Sequence, residues 1–502
     1  MKKKLYFSIA FCLFYILLHA QEWNINYHGA YPTGKTHFLD GFIDGDGVTF
    51  FAGQEGPDAD TPDALFMRIE PNGDYSTFIY QKEGFHSRAT CILEMQDHNL
   101  FVAGNLYGNT DDYVMVLILD KQLNLLEERQ YEKEVEAYSF GLCKAVLDSH
   151  GNIIVATTVL QDNGTLGTYD HGILYKFDHH GDTIHHRYLI EDYPNPLYYF
   201  MDFHVRQMWY NADEETLLCL APGFGNVPSF ITFDSAFNYI EERPIWRDDP
   251  EKSDHTLFQD CFTDHWYSKD EALFFSSLGD YHRNKLRVSR INTNGEYLEY
   301  IHLNERTDTI DDPATPRCMA TANDSTFYFS FFYHVWETYP GIACIYMLNE
   351  HLEIIGRHLD DDHDHYRSNI ILPTADGGCI TVIDSCNYGH YATESHPIIK
   401  KLKREDFEQI PCTVVQNENK PFHLGAFPNP CDGTLYIPLP NIENTGIRCQ
   451  VIDNLGRTIA NRLVPHSGGT LSLDVSRLKP GIYSYRIYSD QGTLCTETFV
   501  KK

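Results

Sequence analysis

The sequence predicts an all-β chain, a seven-bladed β-propeller followed by a small Ig-like β-sandwich. Three observations predict it. Short β-branched or aromatic segments recur with a period of fifty-odd residues: "VTFFAG" (48–53), "NLFVAG" (99–104) and "NIIVAT" (152–157) place Ala52, Ala103 and Ala156 at spacings of 51 and 53. Each is followed by a second apolar strand and a tight turn, without helical periodicity. After residue 424 the charge balance and the strand spacing both change.

The chain of 502 residues opens with MKKK, an apolar run "LYFSIAFCLFYILL" and the small residue Ala20. That order reads as a secretory signal peptide over 1–20. The run is shorter than the ~20 residues of a spanning helix, and no later segment is long and apolar enough. No transmembrane segment is therefore expected in the mature chain. A lipoprotein reading would use Cys12, but bulky Phe11 stands where a small residue is expected.

The repeats fill 36–414, within a domain expected over 21–415. Weaker echoes follow the first three: "TLLCLA" (216–221), "ALFFSS" (272–277), "TFYFSF" (326–331) and "CITVID" (379–384). Third strands such as "ALFMRIEPNGDY" and "GILYKFDHHGDT" come next, with Gly73, Gly181 and Gly295 supplying the positive φ that hairpins want. An inner strand precedes each core strand, and an outer one such as "LLEERQY" (125–131) completes a four-stranded unit. One such unit cannot bury both its faces; radial stacking does so and protects the edges. "EWNINYH" (22–28) or "DFEQIPCTVV" (406–415) supplies the outer strand of the last unit, and the first is favoured.

Of 39 Lys+Arg and 71 Asp+Glu, the tail from 424 holds 8 and 6, and the first 20 residues hold 3 Lys. The body is left with 28 basic and 65 acidic residues, a net charge of −37. Such a body repels nucleic acid and anionic membranes, so no nucleic-acid partner is expected. The 13 cysteines form no CxxC and no dense scaffold. Cys91, Cys143, Cys261 and Cys318 share the inner-strand region, where small buried thiols suit strands crowded toward an axis.

Lines such as "AVLDSHGNIIVATT" and "GILYKFDHHGDTI" resemble the divergent propeller repeats of exported Bacteroidetes proteins. The segment 416–425 reads as a linker, and 426–502 as a second β module. There, "FPNP" (427–430), "VIDNLGR" (451–457), "LDVSRLKPGIYSYRI" (473–487) and a closing "FVKK" resemble the C-terminal sorting domain of type IX secretion substrates. On that motif lie Pro428, Asn429, Pro430, Gly456 and Gly481. The resemblance implies Sec export, passage through the outer membrane by the type IX machinery, and removal of the tail with release or surface attachment. A disulfide among Cys431, Cys449 and Cys495 stays open.

No hydrolase, zincin, Walker or dinucleotide motif appears in its required context. "DGFIDGDG" (40–47) hints at calcium through Asp44 and Asp46 but lacks the full loop, and a β-turn is the plainer reading. "DDDHDH" (360–365) offers His363, Asp364 and His365 as divalent-metal ligands, against a solvated loop. No other cofactor is expected. Loops on one face are rich in aromatic and acidic groups, so Trp246, Tyr281, Trp336, Tyr339 and Tyr391 are candidate contacts for a glycan, peptide or protein ligand. The function expected is that of a secreted or cell-surface binding protein. The alternative is a metal-assisted polysaccharide lyase or glycoside hydrolase using His255, His282, His334 and His365.

Overall fold

The computed structural model describes the chain except residues 1–21, 32–33, 59–60, 109–110, 133–138, 141, 163–167, 190–204, 223–227, 246–256, 269–270, 281–282, 293–296, 304–309, 314–316, 324–325, 335–341, 361–365, 386–394, 410–429, 439–447, 454–457, 464–469 and 490–491. The chain divides into two compact units, Met1–Thr413 and Val414–Lys502.

The first unit is all-β and propeller-like, built from antiparallel sheets whose strands follow one another in sequence. Seven sheets are found among its described residues. The first runs Lys35–Ile43, Thr49–Gly56, Asp63–Ile69 and Tyr75–Tyr80. The second runs Phe85–Glu94, Leu100–Gly108, Asp112–Leu119 and Leu125–Glu132. In the third, the inner edge is split into Ser139–Phe140 and Lys144–Leu147, both paired with Ile153–Asp162. Gln207–Asn211, Leu257–Ser268 and Met319–Asn323 begin or flank the fourth, fifth and sixth.

The seventh sheet has three strands from its own stretch of sequence, Tyr366–Pro373, Cys379–Ser385 and His396–Leu402. Its fourth is Trp23–Asn26, paired antiparallel with Trp23 opposite Lys401 and Ile25 opposite Ile399. The favoured N-terminal closure is therefore the one observed. The competing segment contributes Glu408–Gln409 to the outer edge of the sixth sheet instead.

The sheets are held face to face. Every residue of Thr49–Gly56 is buried, so that strand has no solvent face. One apolar cluster joins Phe50 and Phe66 of the first sheet to Val102 and Met115 of the second. Others join the second to the third through Phe101 and Val155, and the third to the fourth through Leu174 and Ile231. Leu220 meets Phe274 across the next seam, and Phe275 meets Phe329 edge-on at 5.2 Å. Tyr328 and Met347 pack with Ile371. Ile25, Val382 and Ile399 pack with Phe38, Phe51 and Leu65, which brings the last sheet back to the first. Burying a side chain of this size contributes about 1.5–3 kcal/mol, so cyclic stacking is the main source of stability.

The recurrent Ala-Gly of the core strands has a steric cause. The inner strand bulges between Phe38 and Asp40, and again between Ala89 and Cys91. Opposite these bulges lie Gly53 and Gly104, where a Cβ would sit 2.0 Å from the carbonyl oxygens of His37 and Arg88. Only glycine admits that approach.

The hairpin turns repeat another device. Asp120, Asp178 and Asp234 each accept two backbone N–H groups across the turn, and Asn349 does the same. Gly73 and Gly181 take positive φ as expected; Gly295 lies outside the described residues. At the matching place Leu123, Phe237 and Leu352 take φ of 65°, 61° and 56°. All three are buried, so an apolar plug occupies the position that glycine fills at Gly73 and Gly181.

The second unit has a two-stranded sheet, Thr434–Pro438 with Thr470–Asp474, and a four-stranded sheet ordered Thr458–Leu463, Arg448–Asp453, Gly481–Ser489, Gly492–Lys501. One core joins Leu435 and Leu471 to Val451, Tyr485 and Phe499. The alternation expected for "GIYSYRI" holds: Tyr485 and Ile487 are fully buried and Tyr483 stacks on Phe499.

Candidate functional site

The inner strands of four sheets meet at one cavity of about 260 Å³. Asp40 comes from the first sheet, Lys144 from the third, Arg206 from the residue ahead of the fourth, and Arg317 from just ahead of the sixth. Sheets that are not neighbours can share a cavity only where their inner edges converge. Trp209 and Met208 add apolar wall.

Local structure places each charged group. The bulge before Asp40 turns its carboxylate toward the second and sixth sheets. Its Oδ2 accepts the Ile92 N–H at 3.0 Å, and its Oδ1 lies 3.2 Å from Arg317 Nη1. Arg317 also donates to the Gly41 carbonyl, and its own carbonyl accepts the Ile371 N–H at 3.0 Å. Lys144 stands opposite Ala156, whose small side chain leaves room beside it. The neighbouring Cys143 donates its backbone N–H to Thr90 Oγ1 at 2.8 Å.

The electrostatics are unusual for this chain. Among the described residues that line the cavity, Lys144, Arg206 and Arg317 are basic and Asp40 is acidic, although the protein as a whole carries −32. Burial holds Lys144 below the usual lysine range; Asp40 acts against the fall, while Arg317 and Arg206 add to it. Among the described residues the Lys144 ammonium has no hydrogen-bond or salt-bridge partner.

A second cavity, of about 210 Å³, lies where the closing strand docks, beside Trp23, Asp44, Asp376 and Lys401. Its charged groups are already engaged. Asp44 Oδ1 accepts the Asp46 and Val48 N–H groups and Oδ2 lies 2.7 Å from Lys121 Nζ, while Lys401 is 3.5 Å from Asp376. The "DGFIDGDG" aspartate is thus a turn and ion-pair residue. His37 Nδ1 lies 2.6 Å from Asp384 Oδ2 and 3.5 Å from Ser395 Oγ. Both contacts use the same ring nitrogen, so the trio is not arranged as a nucleophile–base–carboxylate relay.

Of the predicted site residues, Trp246, Tyr281, Trp336, Tyr339 and Tyr391 lie outside the described residues, as do His363, Asp364, His365, His255 and His282. His334 ends the strand Thr326–His334. The first residue of the acidic run, Asp360, is buried and ion-paired with Lys400. Among the described residues no group of three His, Cys, Asp or Glu is placed to hold a metal. Cys91, Cys143 and Cys318 are buried free thiols. In the tail, Pro430 is exposed and Gly481 opens a strand, while Pro428, Asn429 and Gly456 lie outside the described residues. Cys431 and Cys449 are free and buried, and burial pushes the Cys449 thiol up to about 11. Lys144, Arg206 and Arg317 belong to no motif. Their one local signal is that Lys144 and Arg317 each flank an inner-strand cysteine.

The propeller-like unit thus precedes a tail whose identity is independently marked. Residues 425–502 match the family described as the secretion system C-terminal sorting domain. The chain is an exported propeller-like protein that carries this type IX sorting tail, which implies contact with the secretion machinery and a secreted or cell-surface destination. No helix among the described residues is long and apolar enough to cross a membrane. No curated protein matches the chain. Among solved structures it is similar to a protein of unknown function from Dyadobacter fermentans DSM 18053, at 8% identity, TM-score 0.40, covering 64% of this chain and 97% of that one. It is also similar to a puromycin hydrolase mutant complexed with PGG, at 11% identity, TM-score 0.45, covering 80% of this chain and 59% of that one. A third is prolyl oligopeptidase B from Galerina marginata, at 12% identity, TM-score 0.38, covering 70% and 47%. Likenesses this distant carry no argument about activity.

Proposed function

We propose that the protein is a non-enzymatic binding protein of the cell exterior, a seven-bladed β-propeller over 21–415 joined by the 416–425 linker to an Ig-like sorting sandwich over 426–502. In this reading residues 1–20 direct export into the periplasm and the tail directs passage through the outer membrane. The ring then presents a glycan, peptide or protein site, with Trp246, Tyr281, Trp336, Tyr339 and Tyr391 as loop contacts.

The observation that carries the export in this reading is the sorting-domain match at 425–502. The cyclic stacking of the sheets supports the ring, because the N-terminal strand completes the last sheet and shares a core with the first. Rigid closed rings suit binding, since their loops and axis are held by packing rather than by a lid.

The test is cell fractionation of a producing strain that expresses the full chain or a chain ending at residue 424. The full chain should appear in the medium or on the surface, and the shortened chain should stay in the periplasm. Equal export of both would overturn the assignment of the tail.

A further inference from the structure

We infer that the outer edges of the second, fourth and fifth sheets are docking sites for an extended, basic segment of a partner protein. The segment adds there as a further antiparallel strand and lays an apolar side chain on the exposed Leu126, Ile240 or Leu298. This goes beyond the loop-face reading above and rests neither on those loops nor on how the chain is exported.

One bulge recurs along these edges. The outer strands of the second, fourth, fifth and sixth sheets are Leu125–Glu132, Tyr239–Pro244, Tyr297–His302 and Ile354–Asp360. Each skips one residue in its register against the neighbouring strand, and the skipped residues are Leu126, Ile240, Leu298 and Ile355. A bulged residue has no cross-strand partner to cover it. Leu126, Ile240 and Leu298 are 50%, 49% and 53% exposed, although antiparallel sheets ordinarily turn polar side chains to water. The third sheet repeats the bulge at Ile184, but its outer strand carries Arg187 and no carboxylate, so it is set apart from a basic partner.

The sixth sheet shows what such an edge accepts. There Glu408–Gln409 pairs antiparallel with the outer strand, Gly356 opposite Gln409 and Arg357 opposite Glu408. Phe407, just ahead, is buried, its ring 5.5 Å from Tyr328 and 6.0 Å from His358. Ile355 packs against the cluster that holds Phe407. The bulge therefore does not stop a further strand from adding. Among the described residues the second, fourth and fifth sheets end at their fourth strand, which leaves an edge of backbone donors and acceptors that an extended chain can pair with. Charge narrows the occupant. Where the sixth sheet has Gly356, these three have Glu127, Glu241 and Glu299. Their outer strands hold three, two and one glutamates against one, one and no arginine. A second copy would bring the same acidic strands and be repelled, whereas lysine or arginine opposite a carboxylate is favourable.

The test uses the purified full chain and a fluorescein-labelled octapeptide of alternating Val and Lys. Fluorescence anisotropy reads binding, and amide hydrogen exchange locates it. Wild type should bind saturably, and the bound peptide should slow exchange in Leu125–Glu132, Tyr239–Pro244 and Tyr297–His302. An octapeptide of alternating Ser and Lys has the same charge without the apolar anchors and should bind roughly 10-fold more weakly or worse. The Val–Lys peptide with N-methylated backbone amides, which cannot donate to a ladder, should lose binding as well. Leu298→Ser should abolish the protection of Tyr297–His302 and keep that of Tyr239–Pro244, and Ile240→Ser should do the reverse. Both side chains are exposed, so melting should match wild type; if one variant does not fold, the other carries the comparison. The inference is overturned if the Val–Lys peptide binds no better than the Ser–Lys peptide, or if the protected amides lie outside the outer strands. It is also overturned if the chain sediments as a dimer that Leu298→Ser or Ile240→Ser dissociates, since the occupant is then a second copy. Protection confined to the loops would support the loop-face reading while overturning this one, and neither result bears on export by the tail.

Discussion

Arg317 and Asp40 stand 277 positions apart in the chain and meet at 3.2 Å. Arg317 leads into the sixth sheet and Asp40 belongs to the first, so they meet beside the inner strand of the seventh, where the Arg317 carbonyl accepts the Ile371 N–H. The pair sits at the cavity wall.

Removing the carboxylate should therefore be felt twice. Asp40→Ala leaves the Ile92 N–H without its acceptor and Arg317 without its carboxylate partner. We expect a loss of about 1–3 kcal/mol in urea unfolding, the range for a buried group deprived of its partner. A variant as stable as wild type in low salt would show that the cavity charges are screened by solvent.

The closing strand should matter more than its four residues suggest. Ile25 is buried against Ile399 in the core shared with the first sheet. Ile25→Ala should cost about 2–4 kcal/mol, as for other large-to-small core changes. Deleting 22–28 should lower the melting temperature sharply. An unchanged melting curve for the deletion would reject closure by this segment.

Positive φ at non-glycine residues separates two kinds of turn. Glu215 adopts φ of 50° with an exposed side chain, so Glu215→Gly should stabilise by about 1 kcal/mol through relief of backbone strain. Leu352 has φ of 56° but is buried. Leu352→Gly relieves the same strain and empties part of the core, so the net effect should be a loss of about 1–3 kcal/mol. Denaturant midpoints of the two variants, moving in opposite directions, check the account.

Glu55 gives a pH signature. It is buried and accepts the Tyr27 hydroxyl at 3.0 Å. Burial raises its carboxyl above the usual glutamate range; the Tyr27 and Ala30 hydrogen bonds act against this, and Asp63 adds to it. The folded state thus holds the proton more tightly than the unfolded chain. That contribution is fully present below the ordinary glutamate value and is lost as pH rises through the raised folded value. Glu55→Gln should remove this fall, so the variant should gain on wild type across that window and keep the gain at pH 7. Parallel pH profiles for the two proteins would contradict the assignment.

Much of the ring was legible because its signals are local. The repeated core-strand segments around Ala52 and Ala103 and the glycine turns at Gly73 and Gly181 each lie within a short window of sequence. The N-terminal closing strand was legible as a choice between two segments, and Ile25 facing Ile399 settles it. The plug residues Leu123, Phe237 and Leu352 were not legible, since their sequence context promises glycine or a polar turn. The axial site was least legible of all. Lys144, Arg206 and Arg317 share no spacing, and only the convergence of inner strands from separate sheets brings them to one cavity.

Ring closure underlies both the shared core and the charged cavity, and hydrogen exchange tests it without altering the chain. If Trp23–Asn26 completes the last sheet, its ladder amides should exchange only on global unfolding, as slowly as those of Thr49–Gly56. Exchange of these amides within seconds, as in a free N-terminal segment, would contradict the closed ring and with it the axial site.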